Sequence, residues 1–378
     1  MKTFGQQYFE KTAYVNFDNN ARMKQVFEGD LDIERLVLSI SAETGVSIEA
    51  ENTLIIFDEV QEVPKALTSL KYFYENAPQY AIVAAGSLLG VALHQGTSFP
   101  VGKVDFLDLY PLNFREFLCA MGEKQFVSML DSCDTQMVTV FKTKYIERLR
   151  EYYFVGGMPE VVKDFSEKKD YNRVRAIQKN LINYYQQDFS KHAEIKLVPR
   201  LNLVWNSIPM QLAKENKKYI YGQVREGSRA KDFELAIQWL LDCGLIHKVQ
   251  RIQKPDLPLK AYIDFDAFKL FLVDIGLLIA MTDLDAKVII EGNKIFTEFK
   301  GALTEQYILQ QLISDVGVIP YYYSTQNSKG EIDFLVQGKT SVIPIEVKAE
   351  ENLKAKSLKA FCEKYQTILC SPNINVGL

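Results

Sequence analysis

Thr53–Pro64 reads TLIIFDEVQEVP. Leu54–Phe57 is an unbroken apolar run, and it ends in two adjacent carboxylates, Asp58 and Glu59. A short apolar run bounded by polar residues predicts a strand buried on both faces, here one that sets its acids at the carboxyl end. Strand and helix signals alternate around it. Tyr14–Phe17 predicts a strand closed by Asp18-Asn19-Asn20, and Leu31–Ile40 has helical spacing with Asp30 as its cap. Pro64 suits the first turn of a helix that continues through Ala66–Tyr74. Tyr80–Ala85 predicts a strand ending at Gly86-Ser87. Val104–Leu109 predicts another, closed by Tyr110-Pro111 and followed by a helix over Leu112–Cys119. Such alternation implies a parallel α/β sheet. Sheets of that kind bind ligands at the carboxyl ends of their strands, where Asp58, Glu59 and Ser87 fall.

At 378 residues the chain is too long for one ordinary core, so more than one domain is expected. Charge is balanced (−4 formal) and 47% of residues are hydrophobic, which excludes a disordered chain and gives no global signature of nucleic-acid binding. Cys119, Cys133, Cys243, Cys362 and Cys370 form no CxxC pair, and the start has no signal-peptide core. Both point to a reduced cytoplasmic setting. His94, His192 and His247 lie too far apart in sequence to form a local zinc motif. No apolar run reaches membrane-spanning length.

From about 125 the pattern turns to helices rich in Tyr, Lys and Arg, broken at Gly156-Gly157-Met158-Pro159. Pro199 opens a helix carrying Leu201, Val204, Trp205 and Ile208. Arg229–Cys243 is a strongly periodic helix followed by a strand over Leu245–Ile252. Two helices and a strand bearing Lys248 and Arg251 read as a winged-helix-like unit, able to hold DNA or a protein partner. Phe268–Ala280 reads as a buried helix and Phe299–Ile313 as an amphipathic one. Ile332–Val336 and Ser341–Val347 read as a hairpin. Its turn contains Gly338-Lys339-Thr340, which spells the end of a phosphate loop. However, Asp333 stands where that loop needs glycine, and strands flank it on both sides.

Two groups carry chemistry. In phosphoryl transfer a strand-end acid holds Mg²⁺, a neighbouring glutamate orients the attacking water, and a polar residue on the next strand senses the γ-phosphate. Asp58, Glu59 and Ser87 match those roles in turn. The second group is Gly330–Lys348, GEIDFLVQGKTSVIPIEVK. Alternation places Asp333 opposite the core-facing Ile332 and Phe334, with Glu346 and Lys348 on one face of the next strand. With Glu305 from the preceding helix they form a set suited to metal-dependent phosphodiester cleavage. Asp333 and Glu346 would then be metal ligands.

The chain resembles, from end to end, a group of prokaryotic AAA-superfamily P-loop ATPases with a C-terminal restriction-endonuclease-like domain of unknown function. TLIIFDEVQEVP, AAGSLLG and VDFLDLYPLNFREF carry the first half. GSRAKDFELAIQWLLDCGLIHKV, FKLFLVDIGLL, GALTEQYILQQL and GEIDF…IPIEVKA carry the second. The resemblance implies four regions: an ATPase core at 1–124, a helical lid at 125–197, a winged-helix-like region at 198–255 and the endonuclease-like domain at 256–378. It implies ATP and Mg²⁺ as cofactors. Asp58 would be the Walker B metal acid, Glu59 the catalytic base and Ser87 the sensor. Glu305, Asp333, Glu346 and Lys348 would be the nuclease-like tetrad. Lys103 stands where the group carries an arginine. The group's Walker A loop would precede Tyr14–Phe17, but KTFGQQYFEK matches only the end of the helix that follows that loop. The expectation is of a chain shortened at both ends and impaired in ATP binding. A metal-dependent nuclease and a non-catalytic DNA- or protein-binding module are the alternatives.

Overall fold

The computed structural model describes residues 1–86, 102–214, 218–291, 297–325, 330–348 and 356–365. The chain divides into two compact units, one holding Met1–Asp108 and the other Leu109–Leu241 with Leu245–Leu378.

Among the described residues the first unit has three parallel strands, β1 (Lys11–Asn16), β2 (Thr53–Asp58) and β3 (Ala81–Ala84), in the order β1-β2-β3. Lys11 pairs with Thr53 and Asn16 with Asp58, so β1 and β2 finish together. β2 is buried through Thr53–Phe57, as a central strand covered on both faces must be. On one face Phe17, Phe27 and Phe57 meet edge to face, with ring centroids 5.4–5.6 Å apart. The helix Lys2–Tyr8 packs against β1 through Gly5, where a Cβ would run into Thr12 and crowd Leu54. The helix Ile33–Thr44 is capped by Asp32, whose carboxylate accepts the Arg35 N–H at 2.9 Å, not by Asp30. Asp30 instead takes the Arg35 guanidinium. Pro64 does open the helix Pro64–Asn76.

One expected strand does not form. Residues 105–110 are in neither helix nor strand, and Leu107 and Leu109 are exposed. An apolar run makes a strand only where a neighbour supplies its hydrogen bonds. The helix Phe114–Ala120 follows, opened by a capping box between Asn113 and Glu116.

The second unit joins a helical array to a mixed sheet of five strands among the described residues. Its strands β4 (Ile246–Ile252), β5 (Ile263–Leu272), β6 (Tyr321–Ser324), β7 (Glu331–Gln337) and β8 (Val342–Ile345) lie in the order β5-β4-β6-β7-β8. All pairs are antiparallel except β4 with β6. The expected buried helix over Phe268–Ala280 is corrected. Phe268–Leu272 completes β5, Asp274 caps the next turn, and only Ile275–Met281 is helical. A continuous apolar run fits a buried strand and a buried helix equally, and the Asp274 cap divides this one.

His247 on β4 is half-buried, and its desolvation pushes its pKa down from 6.5 to about 4. A depressed imidazole pKa favours the neutral ring in the folded state. That stabilisation is complete above pH 6.5 and is lost as the pH falls toward 4. The full loss is expected to be about 3 kcal/mol. Urea midpoints of wild type and His247→Phe at pH 7.5 and 4.5 check this, with the variant losing less stability over the interval.

Candidate functional site

Asp58 closes β2 and Asn16 closes β1, so both present side chains at one end of the sheet. The Tyr14 hydroxyl donates to Asp58 Oδ2 at 2.5 Å, and the Glu59 N–H donates to Asp58 Oδ1 at 3.1 Å. The hydrogen bond to Asp58, with burial second, raises the pKa of the Tyr14 phenol. It therefore stays a donor at neutral pH and holds the carboxylate in one orientation. Glu59 sits in the left-handed region (φ 51°, ψ 45°), where the chain turns sharply off the strand. Its carboxylate accepts the Gln61 Nε2–H at 2.6 Å. The Val60 N–H to Ala85 O bond (3.0 Å) and the Ala85 N–H to Phe57 O bond (2.8 Å) tie the ends of β2 and β3 together. Gly86 follows, and a Cβ there would strike the Gln61 amide. Ser87, the expected sensor, lies outside the described residues.

Lys2 Nζ stands 3.4 Å from the centroid of the Tyr14 ring, so the helix Lys2–Tyr8 begins beside the carboxyl half of β1. Lys103 pairs with Glu75 at 3.7 Å and lies 4.8 Å over Tyr74. The donor set suits Mg²⁺, which takes one or two carboxylates and fills its remaining positions with water and phosphate. Gln61 Oε1 is a buried acceptor with no hydrogen-bond partner among the described residues, and it adds an oxygen at this edge.

The second group of acids is divided. Asp333 faces Glu346 in the extended β7/β8 register, since Phe334 pairs with Ile345. Asp333 Oδ2, however, accepts the Val347 N–H at 2.7 Å. Glu346 pairs with Lys348 at 2.6 Å and accepts the Leu358 N–H at 3.0 Å, in the first turn of the helix Lys356–Lys364. Glu305, on the helix Thr297–Ser314, is turned to a different cation, Lys269 of β5, at 3.4 Å. Among the described residues no three His, Cys, Asp or Glu side chains gather as a metal-holding group. Asp333 and Glu346, the expected metal ligands, each accept a local backbone N–H, and the Asp333 charge acts together with that of Glu305 on the Lys269 ammonium. Of the two basic residues of the winged-helix reading, Lys248 lies 4.3 Å over the Phe268 ring and Arg251 is bonded to Asp264.

Sequence reasoning missed Tyr14, Gln61, Lys269 and Glu331. Only Gln61 carried a signal, two residues past Glu59 and on the same turn.

A parallel sheet whose central strand ends in paired acids is an open α/β arrangement that presents its chemistry at the carboxyl ends of the strands. In family comparison, residues 1–118 match the model of an AAA domain, so this part of the chain is similar to such domains. Residues 146–288 match a domain of unknown function (DUF8612), and residues 300–376 match another (DUF4143). Neither description assigns a fold or a chemistry. Among solved structures, the Walker-type ATPase PABY2304 of Pyrococcus abyssi is similar at 13% identity and a TM-score of 0.41, covering 72% of this chain and 84% of that one. No curated protein matches the chain. No described helix is long and apolar enough to cross a membrane.

Proposed function

We propose that the first unit handles a magnesium–nucleoside triphosphate at the carboxyl end of its parallel sheet. Asp58 serves as the metal acid and Glu59 as the base for the attacking water. The observation that carries this reading is the placement of both acids at the tip of the central strand, with Tyr14 orienting Asp58 and Gln61 holding Glu59. Bound Mg²⁺ would neutralise phosphate charge. The chain's own residues orient the water and accept its proton at Glu59. Ser87 is proposed as the γ-phosphate sensor.

These 378 residues contain no G-x-x-x-x-G-K-[ST] stretch, so no lysine and no backbone nest of that type offsets the triphosphate. The chain by itself is therefore proposed to hold Mg-ATP weakly. Saturation-transfer NMR at millimolar Mg-ATP should give a signal in wild type that Asp58→Asn removes. Equal signals from the two proteins would overturn the assignment of Asp58, and micromolar binding by calorimetry would overturn the proposed weakness.

A nuclease in the second unit is the lesser reading. The register of Asp333 against Glu346 favours it, and the separate pairing of Glu305 with Lys269 opposes it. Mg²⁺- or Mn²⁺-dependent nicking of plasmid DNA, lost in Asp333→Ala and Glu346→Ala, would restore it.

A further inference from the structure

Lys269 is a charged residue within the buried stretch FKLFL that ends β5, and it is completely buried. Its ammonium lies 2.6 Å from Glu331 Oε1 at the start of β7 and 3.4 Å from Glu305 Oε2 on the helix Thr297–Ser314. The Tyr322 ring of β6 closes the group, with its centroid 4.8 Å from Nζ. The Tyr322 hydroxyl is itself buried and has no hydrogen-bond partner among the described residues. Burial alone would pull the lysine pKa down. The Glu305, Glu331 and Asp333 carboxylates outweigh burial and hold the ammonium charged. Buried carboxylates require a cation, and hard oxygen donors accept either an ammonium or a divalent metal. Glu331 is the more open of the two acids, at 29% side-chain exposure against 6% for Glu305.

We propose that the Lys269 ammonium is the resident cation of the Glu305–Glu331 centre and occupies the place a divalent ion would take. The wild-type centre then binds no metal, and deleting the lysine side chain opens a divalent-cation site at the same carboxylates. This inference does not rest on the nucleotide reading of the first unit.

Manganese titration of the full chain, followed by the loss of the free Mn²⁺ EPR signal, tests it. In wild type, Mn²⁺ uptake should be unchanged by Glu331→Gln, which separates this centre from any uptake at Asp58. Lys269→Ala should gain one Mn²⁺ site at least tenfold tighter than any in wild type, and Lys269→Ala/Glu331→Gln should lose it. A wild-type site abolished by Glu331→Gln or Glu305→Gln would overturn the proposal. So would a folded Lys269→Ala that gains no Mn²⁺. If Lys269→Ala does not fold with or without Mn²⁺, the decision passes to Lys269→Met/Glu305→Gln/Glu331→Gln. That variant removes all three charges and should recover cooperative unfolding of the second unit. Its failure to do so would also overturn the proposal.

Discussion

Asp274→Ala is expected to unfold the second unit at far lower urea than wild type. Asp274 is fully buried. Its Oδ2 accepts the Gly157 N–H at 2.6 Å and the Gln310 Nε2–H at 3.1 Å, and its Oδ1 caps Ile275–Met281 through the Leu277 N–H at 3.0 Å. Alanine would leave all three donors unpaired in the interior. Each orphaned buried donor costs about 1–3 kcal/mol, so the total is expected to be about 4 kcal/mol or more. The surroundings cannot close over the loss. Gly156 has φ 75° with its Cα against the Asp274 carboxylate, and Gly157 lies so close to the Leu112 backbone that no Cβ fits. Gln310 also donates to the Tyr152 hydroxyl at 3.0 Å, and Tyr152 donates to Leu112 O at 2.6 Å, so one carboxylate organises three segments. Asp274→Asn keeps the shape but turns an NH₂ group toward one of the N–H donors, and should fall between alanine and wild type. The only tryptophans, Trp205 and Trp239, are both buried in this unit, so their fluorescence reports its unfolding.

Phe57→Ala is expected to be the most damaging single truncation in the first unit, at about 4 kcal/mol. Phe57 is fully buried in the triad with Phe17 and Phe27, and its carbonyl accepts the Ala85 N–H. Losing the ring opens a cavity among Phe17, Phe27 and Ile55, on the face of β2 opposite the Asp58 side chain, so the stability should fall while the Tyr14–Asp58 pair is touched only indirectly. Far-UV circular dichroism should show the early transition while tryptophan fluorescence holds its wild-type midpoint. If both signals shift equally, the damage is not confined to the first unit.

Much of the first unit was legible because its signals are local. The apolar run Leu54–Phe57, the proline at the start of Pro64–Asn76 and the polar closures of the strands each act within a few residues. Paired acids at a strand tip follow from the same run, so the candidate site could be read without coordinates. The strand expected over Val104–Leu109 failed because a strand is a property of a pair, and the pairing partner is not written in the segment itself. The helix expected over Phe268–Ala280 failed because an all-apolar stretch has no usable period. Lys269 interrupts that stretch, and as a lone charge it gave no reason to be placed in a core.

The amino-acid sequence by itself determined where the acids Asp58 and Glu59 fall, which segments alternate as strand and helix, and where the main helices begin. Periodicity and capping are short-range and survive in one dimension. Only the tertiary structure decided which cation each carboxylate meets. Glu305 has Lys269, 36 residues away in sequence, while Glu346 has Lys348, two residues away. A charge as deeply buried as Lys269 needs a counter-charge at hand, and whether Glu305 meets it depends on how helix and strand pack, which no single stretch of the chain specifies.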